Sequence, residues 1–183
     1  MKHIGTIKIE TERLLLRAFK ESDSFSMFNN WASDERVTEY LSWLPHENIT
    51  ETEEICKLWE KESKQKDFYQ WVIILKETNE PIGSIGVVYK NENKLAAEVG
   101  YCIGYNYWGK GYVKEALDEV LKILKKVGFV RIYAEHNILN YNSGKVMKKC
   151  GFEYEGITRK SSYNNKKVLV DMALYSIIFQ ENI

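Results

Sequence analysis

The pattern of apolar and polar positions first indicates strands in the middle of the chain. Three stretches there, 68–76, 82–90 and 96–104, are rich in β-branched and aromatic residues. The turn signal TNEP at 78–81 separates the first two stretches, and the polar run 91–94 separates the last two. Because such short connections cannot cross over to a parallel neighbour, the pattern predicts an antiparallel meander of three strands.

A helical spacing follows this meander. Apolar residues recur at steps of three and four positions, namely Val113, Ala116, Leu117, Val120, Leu121, Leu124 and Val127. This stripe predicts an amphipathic helix, and Gly128 is typical of the residue that ends one. A strand is predicted next over 129–136, and a second helix over 140–150, closed by Gly151.

Further strands are predicted towards both ends of the chain. The apolar run 13–19 is one, and the stretches 152–162 and 167–178 are two more. Asn164-Asn165 lies between the last two, and this pair of residues favours a hairpin turn.

Three helices are predicted between the first strand and the meander. One covers 23–31 and is capped by Ser22 or Asp23, and one covers 34–43. The third begins near Thr50, because Glu53 follows at the spacing of a capping box. All these elements together predict an α+β fold, a single domain spanning 1–183, with a mostly antiparallel central sheet flanked by helices.

Composition and charge argue against some classes of partner. The chain has 183 residues, of which 44% are hydrophobic, and its 26 basic and 26 acidic residues give no net charge. This balance does not favour nucleic acid or an anionic membrane as a partner. No apolar run approaches the ~18 residues of a membrane span, and the charged N-terminal stretch does not resemble a signal peptide. A cytoplasmic protein is the expectation.

The cysteines and histidines are few and scattered. They are Cys56, Cys102 and Cys150, with His3, His46 and His136. An odd number of widely spaced cysteines predicts neither a disulfide framework nor a zinc site. We therefore expect reduced thiols and no bound metal.

The stretch GYNYWGKGY at 104–112 carries the main chemical signal. Gly104, Gly109 and Lys110 match the start of a Walker A phosphate loop, but Gly111 stands where the Mg²⁺-binding hydroxyl is required. The antiparallel meander also disagrees with a P-loop fold, although VLVD at 168–171 resembles the Asp-ended strand of one. Glycines that open a long helix still expose free N–H groups to an anion, so the loop predicts a diphosphate site that needs no metal.

Several segments, taken in order, resemble one known superfamily. They are ETERLLLRAFKESD at 10–23, AAEVGYCIG at 96–104, YWGKGYVKEAL at 107–117, HNILNYNSGKVMKKCGFEYEG at 136–156 and VDMALYS at 170–176. Their order and spacing resemble the GNAT superfamily of acyl-CoA-dependent N-acyltransferases, and more narrowly the branch that contains RimJ and RimL. Asn106 departs from the Gln or Arg that usually begins the superfamily's pyrophosphate loop.

The resemblance implies acetyl-CoA as cosubstrate and a set of residues that hold it. The loop residues Trp108, Gly109, Lys110, Gly111 and Tyr112 would bind the diphosphate. The backbone of Tyr101, Cys102 and Ile103 would bond the pantetheine arm in a sheet that is splayed beside this strand. Asn137 and Asn140 would also contact the cofactor, although Asn140 is equally suited to cap a helix.

The resemblance further implies the catalytic groups. Ser143 would donate to the leaving thiolate, and Glu98 is the preferred general base, with His136 or water as the alternative. Transfer would be direct, in a ternary complex, to a primary amine of a protein N-terminus, an aminoglycoside or a small molecule. The acceptor region is expected over 23–65 and 155–168, in a monomer or homodimer. A non-catalytic acyl-CoA-binding sensor is the alternative function.

Overall fold

A mixed sheet of eight strands organises the computed structural model, which describes residues 1–180. The strands are β1 (Ile9–Glu10), β2 (Leu14–Ala18), β3 (Gln70–Leu75), β4 (Glu80–Asn91), β5 (Ala96–Ile103), β6 (Arg131–Asn137), β7 (Glu153–Tyr163) and β8 (Leu169–Ile178). The helices are α1 (Ser24–Met27), α2 (Glu35–Thr38), α3 (Ile49–Glu62), α4 (Tyr112–Val127) and α5 (Tyr141–Lys149).

The strand order is β1-β2-β3-β4-β5-β6-β8-β7. Strands β3, β4 and β5 form the antiparallel meander that the short turns predicted. Only the β5–β6 pair is parallel among the described strands, and α4 supplies the crossover between them. The predicted α+β fold with a mostly antiparallel sheet is confirmed.

The alternation of side chains along the strands builds a separate core on each face of the sheet. On the α4 face, the stripe from Val113 to Leu124 packs against Trp71, Ile85 and Val99. The α3 face is covered by the N-terminal helices, with a core of Phe19, Met27, Trp31, Ala32, Val37, Cys56, Val72 and Ile74. Each β5 side chain therefore faces either α4 or the N-terminal helices, according to whether its number is odd or even.

The N-terminal helical region is more irregular than predicted. In place of one helix over 23–31, a 3₁₀ turn, the short α1 and a π-helical segment at Phe28–Ala32 follow one another. Asp23 is the N-cap of α1 but makes no side-chain cap bond there. Its buried carboxylate instead accepts the backbone N–H of Lys20 at 2.8 Å and is bonded to Arg17 at 2.7 Å. The predicted helix over 34–43 is limited to α2.

The predicted start of the third helix, near Thr50, is wrong in detail. Helix α3 begins at Ile49, and its cap is Asn48, whose side chain accepts the N–H of Glu51, so Thr50 is already helical. Asn48 has an extended backbone and an amide oxygen within reach, which makes it a better cap than threonine.

The β7–β8 hairpin turn is longer than the predicted Asn164-Asn165 pair. It runs to Lys167, which takes a left-handed conformation with φ 58°, and the Asn164 N–H donates to the carbonyl of Val168. The Asn164 side chain accepts further N–H groups of the turn, which explains why a four-residue turn forms here. Among the described residues, no helix is long and apolar enough to span a membrane.

Candidate functional site

The sheet opens between β5 and β6. The parallel pairing of these strands ends at Glu98 opposite Tyr133. Beyond that point β5 stays paired with β4 as far as Ile103, and β6 stays paired with β8 as far as Asn137. The two strands therefore diverge and leave a wedge-shaped gap, the splay, as predicted beside β5.

The backbone of β5 offers hydrogen-bonding groups to the splay at alternate residues. Gly104 donates its N–H to Ile82 of β4, so even-numbered residues near this end of β5 point towards β4. The carbonyl of Leu95 accepts N–H groups at the start of β6, so the backbone groups of odd-numbered β5 residues point towards β6. Tyr101 and Ile103 therefore present backbone groups to the splay, whereas the backbone of Cys102 faces β4.

The loop after β5 is held by its own aromatic side chains. The Trp108 indole donates to the carbonyl of Ile103 at 2.8 Å, and the Tyr107 hydroxyl donates to Glu80 at 3.1 Å. These two bonds fix the loop against the ends of β5 and β4. Trp108 thus has a clear structural contact, and its predicted cofactor contact stays a prediction.

Gly109 and Gly111 give this loop its curvature. Their φ angles are +74° and +81°, in the left-handed region that favours glycine. An added Cβ would meet nothing within 4 Å at Gly109, and at Gly111 only the Arg13 guanidinium at 3.6 Å. Both glycines therefore border open space, which is what close approach of a ligand to the backbone requires.

Gly111 is the N-cap of α4, and no side chain caps this end. The first helical bond runs from the N–H of Glu115 to the carbonyl of Gly111, so the N–H groups of the preceding three residues have no acceptor within the helix. Arg13 holds the loop by donating to the carbonyl of Lys110 and by pairing with Glu115 at 2.6 Å. The Lys110 ammonium lies 5.7 Å from the Tyr107 ring centroid. This helix end can receive an anion.

An open groove of about 680 Å³ borders Gly111 on the outer side of α4. The lysines and the arginine that line it are already paired: Arg13 with Glu115, Lys114 with Asp118 and Lys122 with Glu119. Because Glu12 adds a further negative charge, the groove has no positive excess for phosphate. The uncapped backbone of α4 remains the better anion site.

Helix α5 begins beside the other edge of the splay. Asn140 is its N-cap, and its side chain accepts the N–H of Ser143 at 3.3 Å. Asn137, at the end of β6, is buried and accepts the N–H of Leu139 at 3.0 Å. Both asparagines therefore have local structural roles, and their predicted contacts with acetyl-CoA stay predictions.

The hydroxyl of Ser143 contacts a side chain from the opposite edge of the splay. Its Oγ lies 3.0 Å from the Tyr101 hydroxyl, which also donates to the Ser143 carbonyl at 3.1 Å. Burial raises the pKa of the Tyr101 phenol above its ordinary value, so the phenol is neutral near pH 7. Both residues lie on the α4 face, since Tyr101 packs against the core there.

Glu98 lies on the other face of the sheet. Val99 and Tyr101 pack on the α4 face and Cys102 packs against the α3-face core, so alternation places the even-numbered Glu98 on the α3 face. Burial raises the pKa of the Glu98 carboxyl, the charge of Glu135 raises it further, and contact with Tyr133 partly offsets both. A half-buried carboxylate with a raised pKa is suited to accept a proton near neutral pH.

Glu135 is a site residue that the sequence analysis missed. It lies on β6 beyond the last pair with β5, and Ile132 and Ala134 face α4, so Glu135 shares the α3 face with Glu98. Burial raises its pKa as well. The alternation of side chains along 129–136 places Glu135 on the same face as Tyr133. Only the parallel pairing of β5 and β6 brings Glu135 next to Glu98.

His136, the alternative base, faces the opposite way. Its ring stacks on Tyr175 at 5.6 Å, and its Nδ1 donates to the carbonyl of Asn137 at 2.7 Å. Its Nε2 faces Gly144 of α5 so closely that an added Cβ there would lie 2.7 Å away. Burial lowers the pKa of this imidazole. A neutral, packed ring on the α4 face is separated from Glu98 by the sheet.

The thiols lack the surroundings of nucleophiles. Burial raises the pKa of Cys150 to about 12, and it also raises the pKa of Cys102, which lies 3.4 Å from Ser84 Oγ. A thiol with a raised pKa is a poor nucleophile at neutral pH. Within residues 1–180, no three His, Cys, Asp or Glu side chains cluster so as to hold a metal ion.

The expected acceptor region is brought together on the α3 face. Asn165, in the β7–β8 turn, is buried and donates to the carbonyl of Thr38 in α2 at 3.0 Å. This bond joins the C-terminal hairpin to the N-terminal helices, the two regions that the sequence predicted as the acceptor walls. Trp31 is fully buried in the core, whereas Tyr163 of the hairpin is exposed.

Comparison with known proteins agrees with this architecture. Residues 13–153 match the family described as the acetyltransferase (GNAT) domain. The chain is 30% identical over 173 residues to an uncharacterized N-acetyltransferase, p20, of Bacillus licheniformis, covering 93% of this chain and 96% of p20. A GNAT acetyltransferase structure from Bacillus anthracis is 26% identical, with a TM-score of 0.80 over 94% of this chain and 98% of that one.

The fold is also similar to that of RimL, a ribosomal alpha-N-protein acetyltransferase solved with coenzyme A. That structure has a TM-score of 0.83 at 20% identity, covering 94% of this chain and 98% of RimL. At this identity the likeness concerns the fold. The family match over most of the chain, together with the splayed sheet and the glycine loop before α4, shows that the chain belongs to the GNAT acetyltransferase family.

Proposed function

We propose that this protein transfers an acetyl group from acetyl-CoA to a primary amine, directly and in a ternary complex. The observation that carries the proposal is the splay, which has the uncapped α4 at one end, Ser143 on the α4 face and Glu98 on the α3 face. The N–H groups of α4 and its dipole would hold the diphosphate. The backbone of Tyr101 and Ile103 would bond the pantetheine arm as an added strand.

The two faces of the splay separate the two halves of the reaction. The amine nitrogen forms a bond to the thioester carbon, and the carbon–sulfur bond breaks. The acceptor ammonium first gives one proton to Glu98, which releases it to water. After the nitrogen–carbon bond forms, Glu98 takes the second nitrogen proton, directly or through water, and the departing sulfur takes the hydroxyl proton of Ser143, which water then replaces. Glu98 and Ser143 lie on opposite faces of the sheet. Glu98 can therefore act on the amine nitrogen while Ser143 acts on the thioester sulfur.

The acceptor would enter from the α3 face. This face carries the carboxylates of Glu98 and Glu135, and it is bordered by the β7–β8 hairpin, which Asn165 attaches to α2. Negative charge beside the splay attracts an ammonium, and Glu98 can then take its proton. A protein N-terminus or a small amine fits this chemistry.

Acetyl-CoA is expected to bind without added metal and to raise the melting temperature. At a concentration of about 100 times Kd, binding stabilises the fold by about 2.7 kcal/mol, which is roughly 5–10 °C for a chain of this size. Calorimetry and thermal shift in the presence of EDTA measure both effects. Binding that requires Mg²⁺, or a larger shift with ATP and Mg²⁺, would contradict the assignment of the loop.

Activity is measured as release of free thiol from acetyl-CoA with a panel of N-terminal peptides, aminoglycosides and alkyl amines. Turnover with at least one of these amines is the expected result. Acetyl-CoA binding without turnover on any of them would favour the acyl-CoA-binding sensor. The best acceptor of the panel then serves in the variant assays below.

Glu98→Gln is expected to move the pH dependence of kcat/KM to higher pH. In the native protein, Glu98 becomes a carboxylate as the pH rises through its raised pKa, and the rate rises with it. Glutamine cannot accept the proton, so the rate follows the free amine in solution, and at pH 7 we expect a loss of about tenfold or more.

Glu135→Gln is the matched comparison on the same face. It removes a negative charge that raises the pKa of Glu98. The rise of kcat/KM with pH should therefore still occur, but at lower pH than in the native protein. Unchanged pH profiles in both variants would assign the base to water and refute the role of Glu98.

A further inference from the structure

The contact between Tyr101 and Ser143 joins the two edges of the splay. Tyr101 comes from β5, beyond its last pair with β6, and Ser143 comes from the first turn of α5, which follows β6. The phenol oxygen lies 3.0 Å from Ser143 Oγ and 3.1 Å from the Ser143 carbonyl oxygen. The same side chain thus reaches the hydroxyl and the carbonyl of the residue proposed as donor to sulfur.

The number of hydrogens limits how these three oxygen atoms can bond. The phenol has one hydrogen, so when it donates to the carbonyl, the Ser143 hydroxyl donates its own hydrogen to the phenol oxygen. When the phenol hydrogen turns to Oγ instead, the Ser143 hydrogen is free for another acceptor. Because the two acceptor distances differ by only 0.1 Å, this exchange needs no movement of heavy atoms.

We propose that Tyr101 is a positioning residue that holds the Ser143 hydroxyl and, by turning its phenol hydrogen from the carbonyl to Oγ, frees the Ser143 hydrogen for the leaving sulfur. This inference rests on the proposed function. As the carbon–sulfur bond breaks, the Ser143 proton moves to sulfur and a water donates a proton to Oγ in the same step, while the phenol hydrogen bond stabilises the partial negative charge on Oγ. The resulting hydroxide takes up a proton that Glu98 has released to water. Tyr101 keeps its own proton throughout.

The surroundings of Tyr101 agree with a donor that stays neutral. Its ring packs against the α4-face core, and burial keeps the phenol protonated near pH 7. A neutral phenol is a hydrogen-bond donor, which is the role that its contact with Ser143 requires. Chains of hydrogen bonds in a poorly solvated site strengthen one another, so loss of the phenol should weaken the donation by Ser143.

The test is a double-mutant cycle of Tyr101→Phe and Ser143→Ala, with acetyl-CoA and the best acceptor of the amine panel. Tyr101→Phe should lower kcat about tenfold, leave the Kd of acetyl-CoA within about twofold, and have no further effect in the Ser143→Ala background. Tyr69→Phe is the matched control, because Tyr69 is a buried tyrosine whose hydroxyl bonds to His3 at 2.9 Å, away from the splay. It should leave kcat unchanged.

Full kcat in Tyr101→Phe, or an equal loss in both backgrounds, would overturn the inference and leave the proposed function intact. Full kcat in Ser143→Ala would instead overturn the proposed mechanism, and the role of Tyr101 with it.

A spectroscopic measurement covers the case in which Tyr101→Phe does not fold. In protein labelled at the ring Cζ of its 12 tyrosines, Ser143→Ala should shift one carbon resonance strongly, and this resonance should be among those that move when acetyl-CoA binds. No response of any tyrosine to Ser143→Ala would overturn the inference.

Discussion

Replacing Ser143 by alanine is expected to lower kcat about 100-fold while the affinity for acetyl-CoA stays nearly unchanged. A hydroxyl that donates to a departing thiolate acts mainly in the transition state, where charge has developed on sulfur, so kcat and kcat/KM should fall together. General-acid catalysis contributes roughly 10²–10⁴-fold, and a thiolate is a fair leaving group, which sets the expectation at the lower end. Steady-state kinetics and calorimetry on the same variant measure the two quantities.

The structure predicts that this variant folds. The cap of α5 does not depend on the Ser143 hydroxyl, since the Asn140 side chain accepts the backbone N–H of Ser143. Asn142→Ala, an exposed neighbour in the same helical turn, is the matched control and should retain full turnover. If Ser143→Ala is as active as this control across the pH range, another group or water protonates the sulfur.

Gly111→Val is expected to weaken acetyl-CoA binding at least tenfold, about 1.4 kcal/mol, in a folded protein. A branched side chain at Gly111 would enter the open space in front of the uncapped α4 N–H groups, where the diphosphate is expected. It would also strain the backbone, because φ at this position is +81°. Calorimetry gives the loss of affinity, and thermal unfolding without ligand gives the strain.

Gly151→Val separates these two effects. Gly151 follows α5 with φ +86°, nearly the same conformation, so valine there should destabilise the fold by a similar amount. Because Gly151 lies at the far end of α5 from Ser143, we expect no specific loss of affinity. Equal affinities in the two variants would show that the loop before α4 does not hold the diphosphate.

Much of the fold was predictable because its signals are local. The β-branched and aromatic residues of β3, β4 and β5 and the stripe from Val113 to Val127 each lie within one element, and the structure confirms the strands and the helix that they predicted. Irregular backbone was not predictable. The π-helical segment at Phe28–Ala32 carries Trp31 and Ala32 into the α3-face core, a tertiary contact that residue spacing does not encode. Asn48, and not Thr50, has the extended backbone of the α3 cap.

The site was predictable in part for the same reason. The glycines at 109 and 111 and the Asn140 cap lie in contiguous stretches, so their residue types alone point to a loop and a helix start. Glu135 was missed because it becomes relevant only through parallel pairing with a strand more than thirty positions earlier. The side chain of Tyr101 was missed because its partner, Ser143, is 42 residues away in the chain.

The sequence by itself determined which segments become strands and helices, where glycine must turn the chain, and the superfamily that their order resembles. Local propensity and hydrophobic period depend only on residues that are close in sequence, so they can be recognised before the fold is known. Only the tertiary structure decided that Glu98 and Ser143 approach the splay from opposite faces, that Glu135 stands beside Glu98, and that His136 is packed away from both. Those relations depend on strand order, register and the point at which β5 and β6 part, which arise from contacts between residues distant in the chain.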